Sequence, residues 1–494
     1  MCGWPSRRTI ATMTMVETGW ALRRAVIGVD QPVPVADGRF LPFVNLDNAD
    51  STPALREVWA AVEQFLPYYA GVHRGTGYLS RLSTATYEDA RATVGRFVGA
   101  DPDRDVVLFG KNTTEAVNRL ARSVRLGPDA VVITTDLEHH SNDLPWRVRA
   151  GTRLLRARVA ADGTLDEDHL DHLLAAHAGR VGLLVVSGAS NVTGVVQPVH
   201  RLAAKVHAAG GAVLVDAAQL AAHRAIDMRP HDDPGHLDFV ALSGHKMYAP
   251  FGTGALVGRR DAFGGRPDHV GGGTVRAVSA TDVAWADLPD REEAGSPNVV
   301  GAVALAAATR VLRRIGLGRL AAHEDALARY AVARLSEVPG VTVHGPPPGR
   351  ADDRVGVVPF TVRGFDHGLV AAVLGHEYAV GVRSGCFCAQ PYVRRLLGLA
   401  ESDADAHVAR ARLARWTGGA LAAERPPGLV RLSLGCYNDA ADVDRAVGAV
   451  ADLAAEGPAV VGRRYRRDAD GEPVPVGGAA PALFRLDHVA PDPG

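Results

Sequence analysis

The stretch Phe239-Val240-Ala241-Leu242-Ser243-Gly244-His245-Lys246 decides the fold. Its apolar run, Phe239–Leu242, has no polar alternation and breaks at once into a hydroxyl, a glycine, a histidine and a lysine. A short continuous apolar run of this kind suits a strand buried on both faces. The same texture recurs at Val106–Phe109, Val131–Ile133, Leu183–Val186 and Ala212–Val215, with Ala/Leu/Arg-rich helical stretches between the runs. Strands alternating with helices predict an α/β domain whose sheet is mostly parallel. In such a sheet ligands bind at the C-terminal ends of the strands, and every one of these runs ends in polar residues.

Around this core the chain has 494 residues, more than one ordinary core serves, so two lobes are expected. Residues 1–42, with Pro32, Pro34 and no clear periodicity, read as an N-terminal arm, and Met13 and Met15 leave the true start open. Residues 43–310 read as the large domain and 311–455 as a smaller α+β domain. In the second, antiparallel strands are expected at Val341–His344 and Val355–Val362, a helix at Asp366–Glu377, a strand at Tyr378–Val382 and a helix within 400–427. Residues 456–494, rich in Pro and Gly with basic residues at Arg463–Arg467, read as a surface-wrapped or disordered tail.

Composition excludes several classes. Lys and Arg number 54 against 55 Asp and Glu, without the basic excess of a nucleic-acid binder. No apolar run approaches the roughly 18 residues of a membrane helix, and the N-terminus lacks the apolar segment of a secretory signal. Four cysteines do not make a disulfide framework in a chain of this length. A cytoplasmic protein with neither nucleic acid nor membrane as partner is expected.

The residues that follow the strands make one kit. Lys111-Asn112-Thr113-Thr114-Glu115 leads into a helix, offering hydroxyls and free N–H groups either as a phosphate cradle or as ordinary N-capping. Glu138-His139-His140 brings adjacent histidines, which would point to opposite faces of a strand; this is not metal-ligand spacing, and no metal is expected. Asn191, Asp216 with Gln219, and Ser243 with His245 and Lys246 complete the set. A lysine directly after an apolar strand is partly desolvated and its amine made more nucleophilic. A carboxylate at a buried strand end, Asp216, needs a cation. A Schiff-base lysine and an acid for a pyridinium nitrogen are what pyridoxal phosphate asks of a protein; the plainer alternative is a buried structural salt bridge.

With these residues in hand, the chain resembles the class V aminotransferase family of fold-type I pyridoxal phosphate enzymes, and most of all its cysteine desulfurase/selenocysteine lyase branch. The stretches that carry the resemblance are Leu46-Asp47-Asn48-Ala49, Val72-His73-Arg74-Gly75, Tyr87-Glu88-Asp89-Ala90-Arg91, Asn112 to Glu115, Glu138 to His140, Ser190-Asn191-Val192-Thr193-Gly194, Asp216 to Gln219, Ser243 to Lys246, Glu293-Ala294-Gly295-Ser296-Pro297-Asn298 and Arg383-Ser384-Gly385-Cys386-Phe387-Cys388-Ala389, in the family's order. The resemblance implies that Lys246 carries the cofactor, His139 stacks on its ring, Asp216 pairs with the ring nitrogen, and Gln219 and Asn191 meet the phenolic oxygen region. It gives the phosphate to Thr113, Thr114, Ser243 and His245. Ser296 stands where the family has a threonine reaching the partner subunit, which implies a homodimer. Arg431, with Arg383 near, would grip the substrate carboxylate.

The same resemblance makes Cys388 the nucleophile that takes sulfur from L-cysteine as a persulfide, releasing alanine, with a sulfur-acceptor protein as a further partner. Cys386 departs from the usual motif, and a Cys-x-Cys metal or redox pair is the competing reading of the two thiols. A reactive thiolate calls for an accessible, electropositive setting, which Arg383 and neighbouring histidines would supply. Asp50 is a second departure, placing a charge near the substrate. Residues 396–427 are longer than in typical desulfurases. The alternatives are another class V enzyme, such as a C–S lyase acting on a thioether, and a catalytically silent scaffold.

Overall fold

A computed structural model describes residues 22–478 apart from 150, 161–162, 265, 348–352 and 418–425, and also describes 482–485. The large lobe is built on a seven-stranded sheet. Its strands are β1 (Asp105–Gly110), β2 (Val131–Thr135), β3 (Arg153–Ala157), β4 (Val181–Ser187), β5 (Ala212–Asp216), β6 (Phe239–Ser243) and β7 (Gly254–Arg259), in the spatial order β1-β7-β6-β5-β4-β2-β3. Neighbours from β6 to β3 pair in parallel, and β7 is antiparallel to both β1 and β6. Leu183, Leu184, Val185, Val186, Val213, Leu214 and Val215 are all buried, as continuous apolar runs between two helical layers require. The expected apolar runs all lie in strands, each of which is one to three residues longer than its run. β3 and β7 were not expected. β3 reads Arg-Leu-Leu-Arg-Ala and lies half-buried at the sheet edge, whereas β7 is glycine-flanked.

The helices that matter for the site are α1 (Tyr78–Phe97), α2 (Thr113–Ser123), α3 (His140–Val148) and α4 (Val299–Ile315). Gly254, the first residue of β7, allows α2 to start against the sheet: a Cβ there would lie 2.6 Å from the Asn112 Cα and 2.4 Å from the Leu242 carbonyl oxygen. α4 runs unbroken through residue 310.

The second lobe has a four-stranded antiparallel sheet of β8 (Val341–Val343), β9 (Val357–Val362), β10 (Arg383–Gly385) and β11 (Leu429–Ser433), ordered β8-β9-β11-β10. Helices α5 (Leu317–Ser336), α6 (His367–Tyr378) and α7 (Ala440–Glu456) cover it, and Leu335, Phe360, Val373, Leu432, Val443 and Val450 share its core. The strand expected at Tyr378–Val382 is shorter. Val380–Gly381 pairs in parallel with Val44–Asn45, so the start of the first lobe is stitched to the second, and Val44 and Leu46 lie in the second core. The helix expected within 400–427 spans Glu401–Thr417; the rest of that expectation falls largely outside the described residues.

In the tail, residues to 478 fold back on the second lobe. Tyr465–Arg467 pairs with Pro473–Pro475, Arg464 bridges to Glu377 and Glu456, and the Tyr465 hydroxyl donates to Glu377. In the expected arm, Pro32–Pro34 pairs with Phe40–Pro42. No helix among the described residues is long and apolar enough to cross a membrane.

Candidate active site

A cavity of about 250 Å³ opens at the C-terminal ends of β1, β2, β4, β5 and β6. Thr113, Thr114, His139, Asn191, Asp216, Gln219, Ser243, His245 and Lys246 all line it, together with Asp50, Asn112, Ser141 and Ser187. Each of these apolar runs stops at the C-terminal end of its strand, and the residues that follow it fall at the mouth of the sheet.

One end is built for an anion. Asn112 caps α2 by accepting from the Glu115 N–H at 3.0 Å, the Thr113 N–H donates to Ser243 Oγ at 3.2 Å, and Thr114 Oγ1 lies 2.7 Å from Ser141 Oγ. Thr113 Oγ1 is buried and has no hydrogen-bond partner among the described residues. A buried hydroxyl left unbonded at a helix N-terminus asks for an acceptor, and a phosphate oxygen meets that need.

The other end is built around Lys246 and Asp216. Lys246 sits in a single 3₁₀ turn, Gly244–Lys246, directly after β6. Enclosure, reinforced by the charge of Arg431 and opposed by Asp216, Asp50 and Asp47, brings its amine down to about 8. Asp216 is 5% exposed and accepts from the Ala218 N–H at 2.9 Å. Burial pushes its carboxyl above the ordinary range, with the Ala218 bond and Lys246 opposing. A protonated ring nitrogen facing it would supply the missing cation.

His139, beyond the end of β2, is the N-cap of α3, and its Nδ1 accepts from the Ser141 N–H at 3.0 Å. That bond assigns its proton to Nε2. Burial and the nearby Lys246 push its pKa down to about 3, so it is a neutral ring. Beneath it Glu138, raised to about 7 by burial, accepts from Thr135, Asn142 and Ser187. Gln219 donates to the Ala49 carbonyl at 2.6 Å.

Cys388 is not among the cavity-lining residues. It is exposed, with φ +53°, on the loop after β10. That loop is fastened to the cavity rim: its Phe387 carbonyl accepts from Asn191 Nδ2 at 2.6 Å, and its Cys388 carbonyl accepts from the His140 N–H at 2.6 Å. Asn191 therefore meets the cysteine loop as well as the cavity. Cys386 is half-buried and burial raises its thiol pKa.

Arg431 stands behind this rim, buried, donating to the Asn191 carbonyl at 3.0 Å and to Asp47 at 3.1 Å, its guanidinium 4.8 Å from the Phe387 ring. Arg383 bridges Asp47 at 3.0 Å and also pairs with Asp50. The electropositive setting expected from Arg383 is thus offset by two carboxylates. Ser296 lies outside the cavity, exposed beside Pro297 and Asn298.

Asn112, Ser141 and Ser187 line the cavity without a site role expected from the sequence. Ser187 had a signal, since it ends the apolar run of β4; Ser141 and Asn112 had only their neighbours.

The family model of aminotransferase class-V matches residues 44–446, and the chain belongs to that family. Among its relatives, a cysteine desulfurase of Haloferax volcanii is 37% identical over 379 residues, 75% of this chain and 86% of that protein. A cysteine desulfurase of Enterobacter is 35% identical over 85% of this chain and 96% of its own length. Among solved structures, the apo cysteine desulfurase of Thermococcus onnurineus superposes with a TM-score of 0.71 at 32% identity, covering 84% of this chain and 95% of that one.

Proposed function

We propose that the protein is a pyridoxal 5'-phosphate-dependent cysteine desulfurase, which takes sulfur from L-cysteine onto Cys388 and releases L-alanine. One observation carries this reading: an enclosed lysine of lowered pKa and a buried aspartate share one cavity, and the loop bearing an exposed cysteine is bonded to that cavity's rim.

When bound, the cofactor supplies an electron sink for charge developing at the substrate's α-carbon. Thr113, Thr114, Ser243 and His245 hold its phosphate, Asp216 its ring nitrogen, His139 a ring face, and Gln219 and Asn191 the edge with the phenolic oxygen. Lys246 Nζ removes the α-proton and returns a proton to carbon, a task suited to an amine that titrates near working pH. Arg431 and Arg383 orient the substrate carboxylate. The Cys388 thiolate attacks the substrate sulfur. The Cβ–S bond breaks, an S–S bond forms, and the carbon takes up a proton, so L-cysteine and a thiol become L-alanine and a persulfide without an external oxidant. Ser296, exposed in the single chain, fits a homodimer in which it reaches the second subunit's cavity. A sulfur-acceptor protein then collects the persulfide from the exposed loop.

The test is purified enzyme with L-cysteine and a reducing thiol: alanine and sulfide should form in equal amounts. Cys388→Ala should keep the cofactor's absorbance and lose about 10²–10⁴-fold in turnover. Full turnover in that variant would sink the persulfide step. One observation favours a second reading, a C–S lyase on a larger thioether: Asp50 puts a carboxylate into the cavity and against Arg383. Pyruvate and ammonia in place of alanine would decide for it.

A further inference from the structure

At the opposite end of the large sheet, where strands begin, Asp105, His231 and His236 come together from distant parts of the chain. Asp105 is the first residue of β1, and the histidines belong to the loop that leads into β6. Their donor atoms all lie within 4.8 Å of one another. His231 Nε2 is 3.0 Å from Asp105 Oδ1, and the two imidazole rings are 4.1 Å apart between centroids.

His236 is the informative residue. It is 3% exposed, and its Nδ1 is 2.8 Å from the Arg229 carbonyl, which can only accept. The Nδ1 therefore carries the proton, and Nε2 carries a lone pair. That Nε2 is buried and has no hydrogen-bond partner among the described residues. A buried lone pair aimed into a cluster with a carboxylate and a second imidazole is costly unless something electropositive takes it up.

We propose that Asp105, His231 and His236 bind a divalent cation of the zinc class, with water as a further ligand. Imidazole nitrogen and carboxylate oxygen are the ligands such a cation prefers, and bonds of about 2.0–2.2 Å place tetrahedral neighbours roughly 3.3–3.5 Å apart. His231 Nε2 and Asp105 Oδ1, 3.0 Å apart, need only part by a few tenths of an ångström, while the His236 donor, within 4.8 Å of both, closes by up to about 1.5 Å. The outer contacts are in place. The Arg229 carbonyl fixes the His236 tautomer, and the Asp101 N–H holds the second Asp105 oxygen at 2.9 Å. A metal on His231 Nε2 takes the place of the hydrogen that bridges to Asp105, and the ring stays neutral with its proton on Nδ1.

The loop concerned is also anchored through His200 to the Gly235 carbonyl and through His207 to the Pro234 carbonyl. A metal would pin it to the start of β1. Since β6 carries Lys246 at its far end, the site would hold the scaffold of the cavity without touching the reaction.

The test uses the full-length, cofactor-loaded enzyme in a Cys386→Ser/Cys388→Ser background, so that no thiol of that loop competes. After stripping with chelator and gel filtration, Zn²⁺ or Co²⁺ is titrated in. One metal should be retained per chain, and Co²⁺ should give the visible bands of a tetrahedral nitrogen/oxygen site without thiolate charge transfer. Free Zn²⁺ at a hundredfold excess over Kd should lower the unfolding constant about a hundredfold and raise Tm. His236→Asn, whose amide nitrogen takes the place of Nδ1 and keeps the bond to the Arg229 carbonyl but removes the ligand, should lose the metal and the Tm shift while keeping the cofactor's absorbance. Asp105→Asn should do the same. Failure of the parent to retain metal, or equal retention by His236→Asn, would overturn the proposal.

Discussion

The floor of the cavity and its rim are made in different ways. Asp216 ends β5 and Lys246 follows the end of β6, adjacent parallel strands whose apolar residues are buried in the large lobe. Cys388 rides on a loop from the second lobe, exposed, in a left-handed conformation, held by backbone carbonyls bonded to Asn191 and His140. The floor is where burial changes proton affinities, lowering that of Lys246 and raising that of Asp216. The rim is where a thiol stays accessible. A reaction with both a proton-transfer step and a sulfur hand-off to another molecule needs that division, because an enclosed amine cannot meet a partner protein and an exposed one would stay protonated at neutral pH.

The harshest way to break the comparison is Lys246→Ala. Turnover should fall at least about 10³-fold and the cofactor's covalent absorbance should vanish, whereas Cys388 should alkylate at the parent rate. A large change in alkylation would mean that floor and rim are not separate. The next effect is a pH dependence. In cofactor-free protein the neutral amine is the form that attacks an aldehyde, and it is depleted about tenfold per pH unit below its pKa. Cofactor loading, followed by absorbance, should rise with pH to about 8 and then level off; with the unperturbed lysine value of 10.5 it would keep climbing.

These contrasts also explain what could be read without coordinates. β4, β5 and β6 announce themselves because a strand covered on both faces has no polar position, and the polar residue that ends each run is forced to the sheet's mouth. That is why Asp216 and Lys246 were legible. β3 was not, because a half-buried edge strand tolerates Arg153 and Arg156. The capture of Arg383 by Asp47 and Asp50, and the meeting of Asp105 with His231 and His236, join parts of the chain far apart in sequence, and no local pattern encodes them. The helix cap at His139 is silent in the same way, since in sequence a capping histidine looks like any other residue that follows a strand.

A milder change separates the rim from the floor. Asn191→Ala removes the amide that holds the Phe387 carbonyl. A single such bond is worth about 1 kcal/mol, so hydrogen exchange at the amides of His140 and Ala389, whose acceptors are the Cys388 and Cys386 carbonyls, should quicken by up to about tenfold. Exchange in β5 and β6 should not change. Acceleration there would show that loop and sheet open as one unit.

The smallest effect concerns the carboxylates at the mouth. Asp50 is exposed and pairs with Arg383, itself partly exposed, while Asp47 serves both Arg383 and Arg431. A substrate carboxylate entering here competes with Asp50 for Arg383. An exposed pair is worth at most about 1 kcal/mol, so freeing the arginine has a bounded benefit. Asp50→Asn should lower KM for L-cysteine by up to about fivefold and leave kcat unchanged, because the proton transfer by Lys246 is not involved. The gain should shrink as salt is added, since screening already weakens the pair in the parent enzyme. A rise in KM would mean that Asp50 recognises the substrate, a group fit for a cationic substituent, and would shift the assignment from cysteine toward a larger amino acid.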